Sequence, residues 1–316
     1  MLYYEHMKII YFGTDKNSKF VLEDIVKFGN KIELVITPSD SIKSRGNKKL
    51  PTAVKEFCIN NDLKYSHDIP SLNEIEQLSP DLIIVASYGK IIPKIILDSS
   101  VYGAINLHPS LLPKYRGASP VQASLLNDEK ITGTSIILLN DVVDGGPIIS
   151  QEKYKIHNEY TNELTEKLFK LGSKLIKDIL KNPETITSAS QQNEKSATYT
   201  NKINKSDGHI NWSQDPRTIL QKIKALSEKP GTFSIFDNKK LKIFKATIFQ
   251  DNNQKEAPGV LGSNENNDLV VNTLNGKIIL DEVQIEGKTR IKGTEFTRGY
   301  KIYDIKNGNK IYKRLS

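Results

Sequence analysis

Five short apolar runs, separated by stretches with helical periodicity, set the strongest limit on what this chain can fold into. They fall at 9–12, 32–36, 82–86, 104–107 and 135–139 and are rich in Ile and Val. Apolar residues at consecutive positions bury both faces of a strand, as in a parallel sheet covered by helices. The segment 20–28, closed by Gly29, has the pattern of a helix and its stop. Shorter helical candidates lie at 52–59, 91–97 and 121–126. Over about 160–181, Leu164, Leu168, Leu171, Leu175 and Ile179 recur at steps of three and four, one apolar face of a long helix. Strand alternating with helix predicts an α/β unit.

The pattern changes near Asn182-Pro183. Residues 183–208 are polar and poor in large apolar side chains, which reads as a linker. Beyond it, one helical stretch at 216–226 leads into short strands at 232–236, 241–248, 260–261, 269–273 and 277–285. Asp237-Asn238 and Asn275-Gly276 are hairpin signals. The expected architecture is a Rossmann-like open parallel sheet over 7–189, a linker over 190–208, and a smaller OB-like β-barrel over 209–316. Six residues precede Met7, and no function is read into them.

Composition narrows the function classes. No apolar run reaches the ~18 residues of a membrane span. No basic region followed by an apolar stretch opens the chain, so secretion is not expected. The single cysteine, Cys58, excludes an internal disulfide framework and suits a reducing cytoplasm. No ligand spacing suggests a metal. Residues 201–316 carry 21 Lys+Arg against 13 Asp+Glu, the whole net charge of +8, while the first 200 residues balance. A basic module beside a neutral one fits a polyanionic partner.

Four segments bear on the chemistry. After the first strand, Phe12-Gly13-Thr14-Asp15 has one of the three glycines a dinucleotide fingerprint needs, so a nicotinamide site is not expected. Asn106 and His108 stand two apart at the end of a strand, so they share a face, and Pro109 ends the ladder. Ligands of open α/β sheets bind at that carboxyl edge. The other reading of the pair is a satisfied structural His with a turn-capping Asn. Further on, Asp141-Val-Val-Asp144-Gly-Gly-Pro147 offers a carboxylate, Asp144 or Asp141, that could orient His108. Its glycines suit a loop that passes close to another group. Lys43, Arg45, Lys48 and Lys49 form a basic loop after the second strand, placed for phosphate contact.

Asn106-Leu-His108, followed by Ser110-Leu-Leu-Pro113, Tyr115-Arg-Gly117 and Pro120-Val-Gln122, resembles the signature of 10-formyltetrahydrofolate-dependent formyltransferases. Asp144-Gly145 falls where that family carries its catalytic aspartate, with Asp-Gly-Gly-Pro in place of the usual Asp-Thr-Gly. Pro80-Asp-Leu-Ile-Ile-Val-Ala-Ser-Tyr88-Gly-Lys-Ile-Ile-Pro93 matches the family's core strand and following loop. The stretch Thr14-Asp-Lys-Asn-Ser-Lys-Phe20 departs from the family's Gly-Thr-Pro-x-Phe by an insertion near Asp15.

Among the family's branches, the chain resembles the one acting on methionyl-tRNA over nearly its full length. The basic loop leading into Leu50-Pro51 is similar to that branch's inserted loop. Thr198-Tyr-Thr-Asn-Lys202 with Asp207-Gly-His-Ile-Asn-Trp212 is similar to its linker and domain entry, and Phe296-Thr-Arg-Gly-Tyr300 to its barrel. The resemblance implies that Asn106 and His108 donate to an oxyanion, that Asp144 supports His108, and that Ser110, Leu111, Leu112 and Pro113 line a folate site. It implies 10-formyltetrahydrofolate as co-substrate and no metal. The expected partner is an initiator methionyl-tRNA, met by Lys43, Arg45, Lys48 and Lys49; no membrane is involved and a monomer is expected. The alternatives are a sugar-amine formyltransferase, which would not need the basic loop, and a non-catalytic tRNA-binding protein, in which the Asn106, His108 and Asp144 triplet should be eroded.

Overall fold

A computed structural model describes residues 7–42, 49–250, 256–306 and 309–316. In chain order its first part runs β1 (Lys8–Gly13), α1 (Lys16–Lys27), β2 (Lys31–Ile36), β3 (Ser41–Ile42), β4 (Lys49–Leu50), α2 (Ala53–Asn60), β5 (Tyr65–Ser66), α3 (Leu72–Leu78), β6 (Leu82–Ala86), α4 (Lys94–Leu97), β7 (Ala104–His108), β8 (Arg116–Gly117), α5 (Pro120–Leu126), β9 (Ile131–Leu138), β10 (Ile148–Lys155) and α6 (Thr161–Lys181). The second part runs β11 (Tyr199–Thr200), α7 (Pro216–Leu226), β12 (Thr232–Phe236), β13 (Lys239–Phe249), β14 (Leu261–Ser263), β15 (Leu269–Thr273), β16 (Gly276–Ile285), β17 (Ile291–Lys292), α8 (Gly293–Gly299), β18 (Tyr303–Lys306) and β19 (Asn309–Tyr312). One compact unit comprises Val121–Glu129, Asn158–Asn162 and Asn201–Ser316, and the other holds the rest.

In the first unit the sheet order is β10-β9-β7-β6-β1-β2-β5. From β7 to β5 all neighbours are parallel, and both faces are buried as their apolar runs require. Ile9, Tyr11, Leu82, Ile84, Ile105 and Leu107 enter one core; Ile10, Phe12, Ile83, Val85 and Ala104 enter the other. Gly29, with φ 94°, follows α1 in the left-handed conformation that a helix stop favours. The long amphipathic helix α6 rests on the sheet through Gly172. A Cβ there would lie 2.5 Å from Leu107 Cδ1 and 2.9 Å from Thr134 Cγ2.

Several expectations need correction. All but the last residue of the run at 135–139 belongs to a longer strand, β9, that is antiparallel to β7, and β10 is antiparallel to β9. A run buried on both faces carries no mark of direction, and β10 is a half-exposed edge strand of mixed polarity. Of 91–97 only Lys94–Leu97 is helical, with Pro93 as its N-cap. The unexpected α3 is announced by a capping box, Ser71 with Glu74. The polar stretch after α6 forms 3-10 turns at Pro183–Ser188, Glu194–Ser196 and Lys205–Gly208, and β11 pairs with β8.

In the second unit the order is β12-β13-β16-β15-β14, antiparallel throughout, with β17 on β16. Asp237 and Asn238, both at positive φ, make the expected hairpin turn. Residues 313–316 bridge the two edges. Ser316 exchanges backbone hydrogen bonds with Ile235 of β12, while Leu315 donates to Gly259 and Leu261 donates to Lys313 beside β14. The sheet thereby closes on itself around Trp212, Ile243, Leu280 and Phe296.

The α6 contact generates a test. Gly172→Val drives a branched side chain into Leu107 and Thr134, an overpacking that costs about 1–3 kcal/mol. Urea denaturation should show a lower midpoint with the slope unchanged. Undiminished stability would mean that α6 does not meet the sheet at this residue.

Candidate active site

β7 ends on Asn106-Leu107-His108. The pleat sends Leu107 into the core below α6 and turns Asn106 and His108 to the opposite face. His108 is buried and Asn106 half-buried. Both reach a single oxygen: Asn106 Nδ2 and His108 Nδ1 each lie 3.5 Å from Asp144 Oδ1. The second oxygen, Oδ2, accepts the Gly117 N–H at 2.8 Å. His108 Nε2 stands 2.9 Å from the Tyr115 carbonyl. Both ring nitrogens thus face oxygen atoms. Asp141, the other carboxylate of this loop, is exposed.

The route of the loop explains its glycines. Because β9 runs against β7, it ends beside Ile105 rather than at the carboxyl edge. The chain must fold back over its own strand to bring Asp144 to Asn106 and His108. Gly146 makes this possible, since a Cβ there would fall 1.7 Å from the Leu138 carbonyl oxygen. At Gly145 a Cβ would meet the Val142 side chain. Asp144 itself takes φ 51°, and across from it Tyr115 and Gly117 take φ 63° and 100°. Asp is among the few side chains that enter this region without great strain.

Between Tyr115 and Gly117 stands Arg116, whose side chain is fully buried. All five of its N–H groups are used. Nε and Nη2 donate to Gln192 Oε1 at 3.1 and 2.8 Å, Nη2 and Nη1 donate to the Glu194 carboxylate at 2.7 and 2.9 Å, and Nη1 donates to the Tyr199 hydroxyl at 3.0 Å. The Gln192 amide nitrogen in turn donates to the Asp144 carbonyl at 2.8 Å and the Gly146 carbonyl at 2.7 Å. Burial pushes the Asp144 carboxyl up, but His108, the Gly117 N–H and Arg116 outweigh it and hold the group below the ordinary aspartate value of 3.8.

The remaining predicted residues fall as follows. Ser110 Oγ donates to the Lys114 carbonyl at 2.6 Å, and Ser110 and Leu112 are buried. Leu111 packs against β9 at Gly133. Ser135 pins this loop by donating to the Ser110 carbonyl at 2.6 Å and accepting the Leu112 N–H at 3.1 Å. Asp15, where the sequence departs from the family, caps α1 through the Asn17 and Ser18 N–H groups and accepts the Ser87 hydroxyl at 2.7 Å. Lys43, Arg45 and Lys48 lie outside the described residues; Lys49 opens β4, which pairs with β3. Arg116, Gln192 and Glu194 are not anticipated as site residues. Arg116 sits inside a recognisable motif, whereas Gln192 is one polar residue in a polar stretch.

The depressed Asp144 value sets a stability test. Its folded value lies below the unfolded one, so the ionised form favours the fold. That stabilisation is complete above the unfolded value, about 4, and is lost as pH falls through the folded value. The stability advantage of the native protein over Asp144→Asn should therefore narrow as pH drops below about 4. Denaturant titrations at several pH values check this, and an advantage that holds or grows on acidification would contradict it.

Residues 7–180 match the family described as Formyl transferase, and residues 202–301 match Formyl transferase, C-terminal domain. The chain is 39% identical over 309 residues to a methionyl-tRNA formyltransferase of Dictyoglomus thermophilum, an alignment covering 94% of this chain and 98% of that protein. It is 32% identical over 306 residues to one of Acetivibrio thermocellus, covering 94% and 97%. Among solved structures it is similar in fold to an N-formyltransferase from Helicobacter canadensis in complex with folinic acid and dTDP-3-aminofucose, with a TM-score of 0.65 at 22% identity over 87% of this chain and 98% of that one. A methionyl-tRNA formyltransferase from Clostridium thermocellum gives a TM-score of 0.52 at 20% identity over 91% and 100%. With both domains matched and relatives above 30% identity along nearly their whole length, the chain belongs to the methionyl-tRNA formyltransferase family.

Proposed function

We propose that the chain transfers a formyl group from 10-formyltetrahydrofolate to the α-amino group of initiator methionyl-tRNA, with Asn106, His108 and Asp144 at the reacting centre. The observation that carries this reading is the convergence of an amide and an imidazole on one anionic oxygen, Asp144 Oδ1. Donors arranged to meet a carboxylate oxygen are suited to a formyl oxygen as it gains charge.

The chemistry assigns the roles. A neutral amine attacks the formyl carbon, and negative charge gathers on the formyl oxygen. Asn106 and His108 stabilise that oxygen. The ionised Asp144, beside His108, accepts the proton released by the amine, directly or through a water; as the tetrahedral intermediate collapses, the bond from the formyl carbon to the folate nitrogen breaks and that proton passes to the leaving nitrogen. The folate co-substrate suits the apolar surface beside the acid, where Val142 and Val143 are exposed. Ser110 and Leu112 contribute to the folate site by holding the 110–113 loop in shape; Leu111 and Pro113 lie at its partly exposed surface. The basic loop at 43–49 and the +8 second domain supply the attraction for a polyanion.

Two measurements test this. With 10-formyltetrahydrofolate and methionyl-tRNA as substrates, Asn106→Ala and His108→Ala should each lose ~10²–10³ in kcat. Near-normal turnover in either would remove that residue from the centre; transfer to a sugar-nucleotide amine but not to tRNA would replace the acceptor. For the loop, the Arg45→Ala/Lys48→Ala double variant should bind tRNA more weakly, with a log–log salt slope shallower by about one or more. Parallel lines of equal height would end its phosphate contact.

A further inference from the structure

The segment 190–200 reads from sequence as part of a linker, yet one of its side chains holds the backbone of the loop that carries Asp144. Gln192 is buried and every polar atom of its amide is engaged. Its two N–H groups go to the Asp144 and Gly146 carbonyls, and its oxygen takes two N–H groups from Arg116. The amide can sit only one way round, because its oxygen facing two carbonyls would be repelled. Gln192 thus ties the backbone of the acid's loop to the residue between Tyr115, whose carbonyl meets His108, and Gly117, whose N–H meets Asp144.

We infer that Gln192 is a positioning residue for formyl transfer: by holding the Asp144 backbone against Arg116 it sets the distance from the carboxylate to His108. This rests on the reading of Asp144 as the acid of the site. Gln192 touches neither the imidazole nor the carboxylate, so it acts through the placement of the loop. That placement needs a tether. Asp144 is held in a left-handed conformation on a loop that doubles back over its own strand, and its neighbours Val142 and Val143 are exposed. Of the hydrogen bonds holding the Asp144–Gly146 backbone, the two from Gln192 come from outside the loop. The second tie to the site, β11 on β8 with Tyr115 N–H donating to Thr198 Oγ1, fixes the 115–117 loop but not the acid.

The informative substitution is Gln192→Glu. It keeps the size and keeps an oxygen for Arg116, but replaces both donors by an oxygen aimed at two carbonyls. A misplacement of about 1 Å at a reacting group costs ~10²-fold. The full-length Gln192→Glu variant should lose about 10- to 100-fold in kcat, with the KM values for methionyl-tRNA and formyl donor within about two-fold of native. Gln192→Asn, which keeps an amide one methylene shorter, should fall between native and Gln192→Glu, and it carries the test if Gln192→Glu does not fold. Each variant is also combined with Asp144→Asn. A residue acting through Asp144 adds no further loss once the acid is gone. Native kcat in both variants, a rise in both KM values with kcat unchanged, or full additivity with Asp144→Asn would overturn the inference. If Asp144→Asn alone turns over normally, the assignment of the acid fails, and the inference with it. A crippled Asp144→Asn beside a fully active Gln192→Glu defeats the inference alone.

Discussion

A guanidinium with no water contact has to find acceptors for five N–H groups inside the protein, and the first unit is organised around meeting that demand for Arg116. Leaving a buried cation unpaired costs several kcal/mol. Here the acceptors come from one later stretch of chain, as Gln192, Glu194 and Tyr199. Glu194 remains two-thirds exposed, so the desolvation cost falls mainly on the arginine side of the pair. The polar stretch after α6 is therefore drawn onto the loops that follow β7, and β11 adds to β8 as a further consequence.

A second constraint meets the first at Asp144. Its carboxylate, on the fold-back loop after β9, gathers two earlier and neighbouring segments, the end of β7 and the 115–117 loop. A half-buried acid would lose its charge to desolvation if left alone. The surrounding donors offset that cost and hold its value below the ordinary one. Charge at larger scale follows the same division of labour. The first 200 residues are neutral overall, and the excess of +8 lies in residues 201–316, a balance that fits the proposed polyanionic substrate.

Much of this is legible in the residues. Consecutive apolar positions at 82–86 and 104–107 are enough to predict buried strands, and the period of two is enough to put Asn106 and His108 on one face. The leucine spacing locates α6 to within one residue at its start. What is not legible has physical causes. Ile136 and Ile137 are buried in either strand direction, so the antiparallel turn of β9 leaves no trace in composition. The choice between Asp141 and Asp144 depends on a backbone path that two glycines permit but do not dictate. Gln192 is invisible because its partners are two carbonyls and an arginine, none of which marks the residue that will meet them. The basic run at 43–49 is plain as a charge pattern.

The left-handed backbone at Asp144 has a consequence for how side-chain chemistry and chain geometry are entangled at this position. An αL residue with a Cβ but without the short polar group of Asp or Asn is held there at a cost of order 1–3 kcal/mol. Alanine at 144 would therefore remove a carboxylate and at the same time press the loop toward another path, while glycine would remove the carboxylate and let the loop wander. Asparagine alone separates the loss of charge from the loss of shape. Over evolutionary time the same asymmetry narrows the exits from this state: an abandoned active site on this scaffold would drift to Asn or Gly at 144 before it drifted to anything larger.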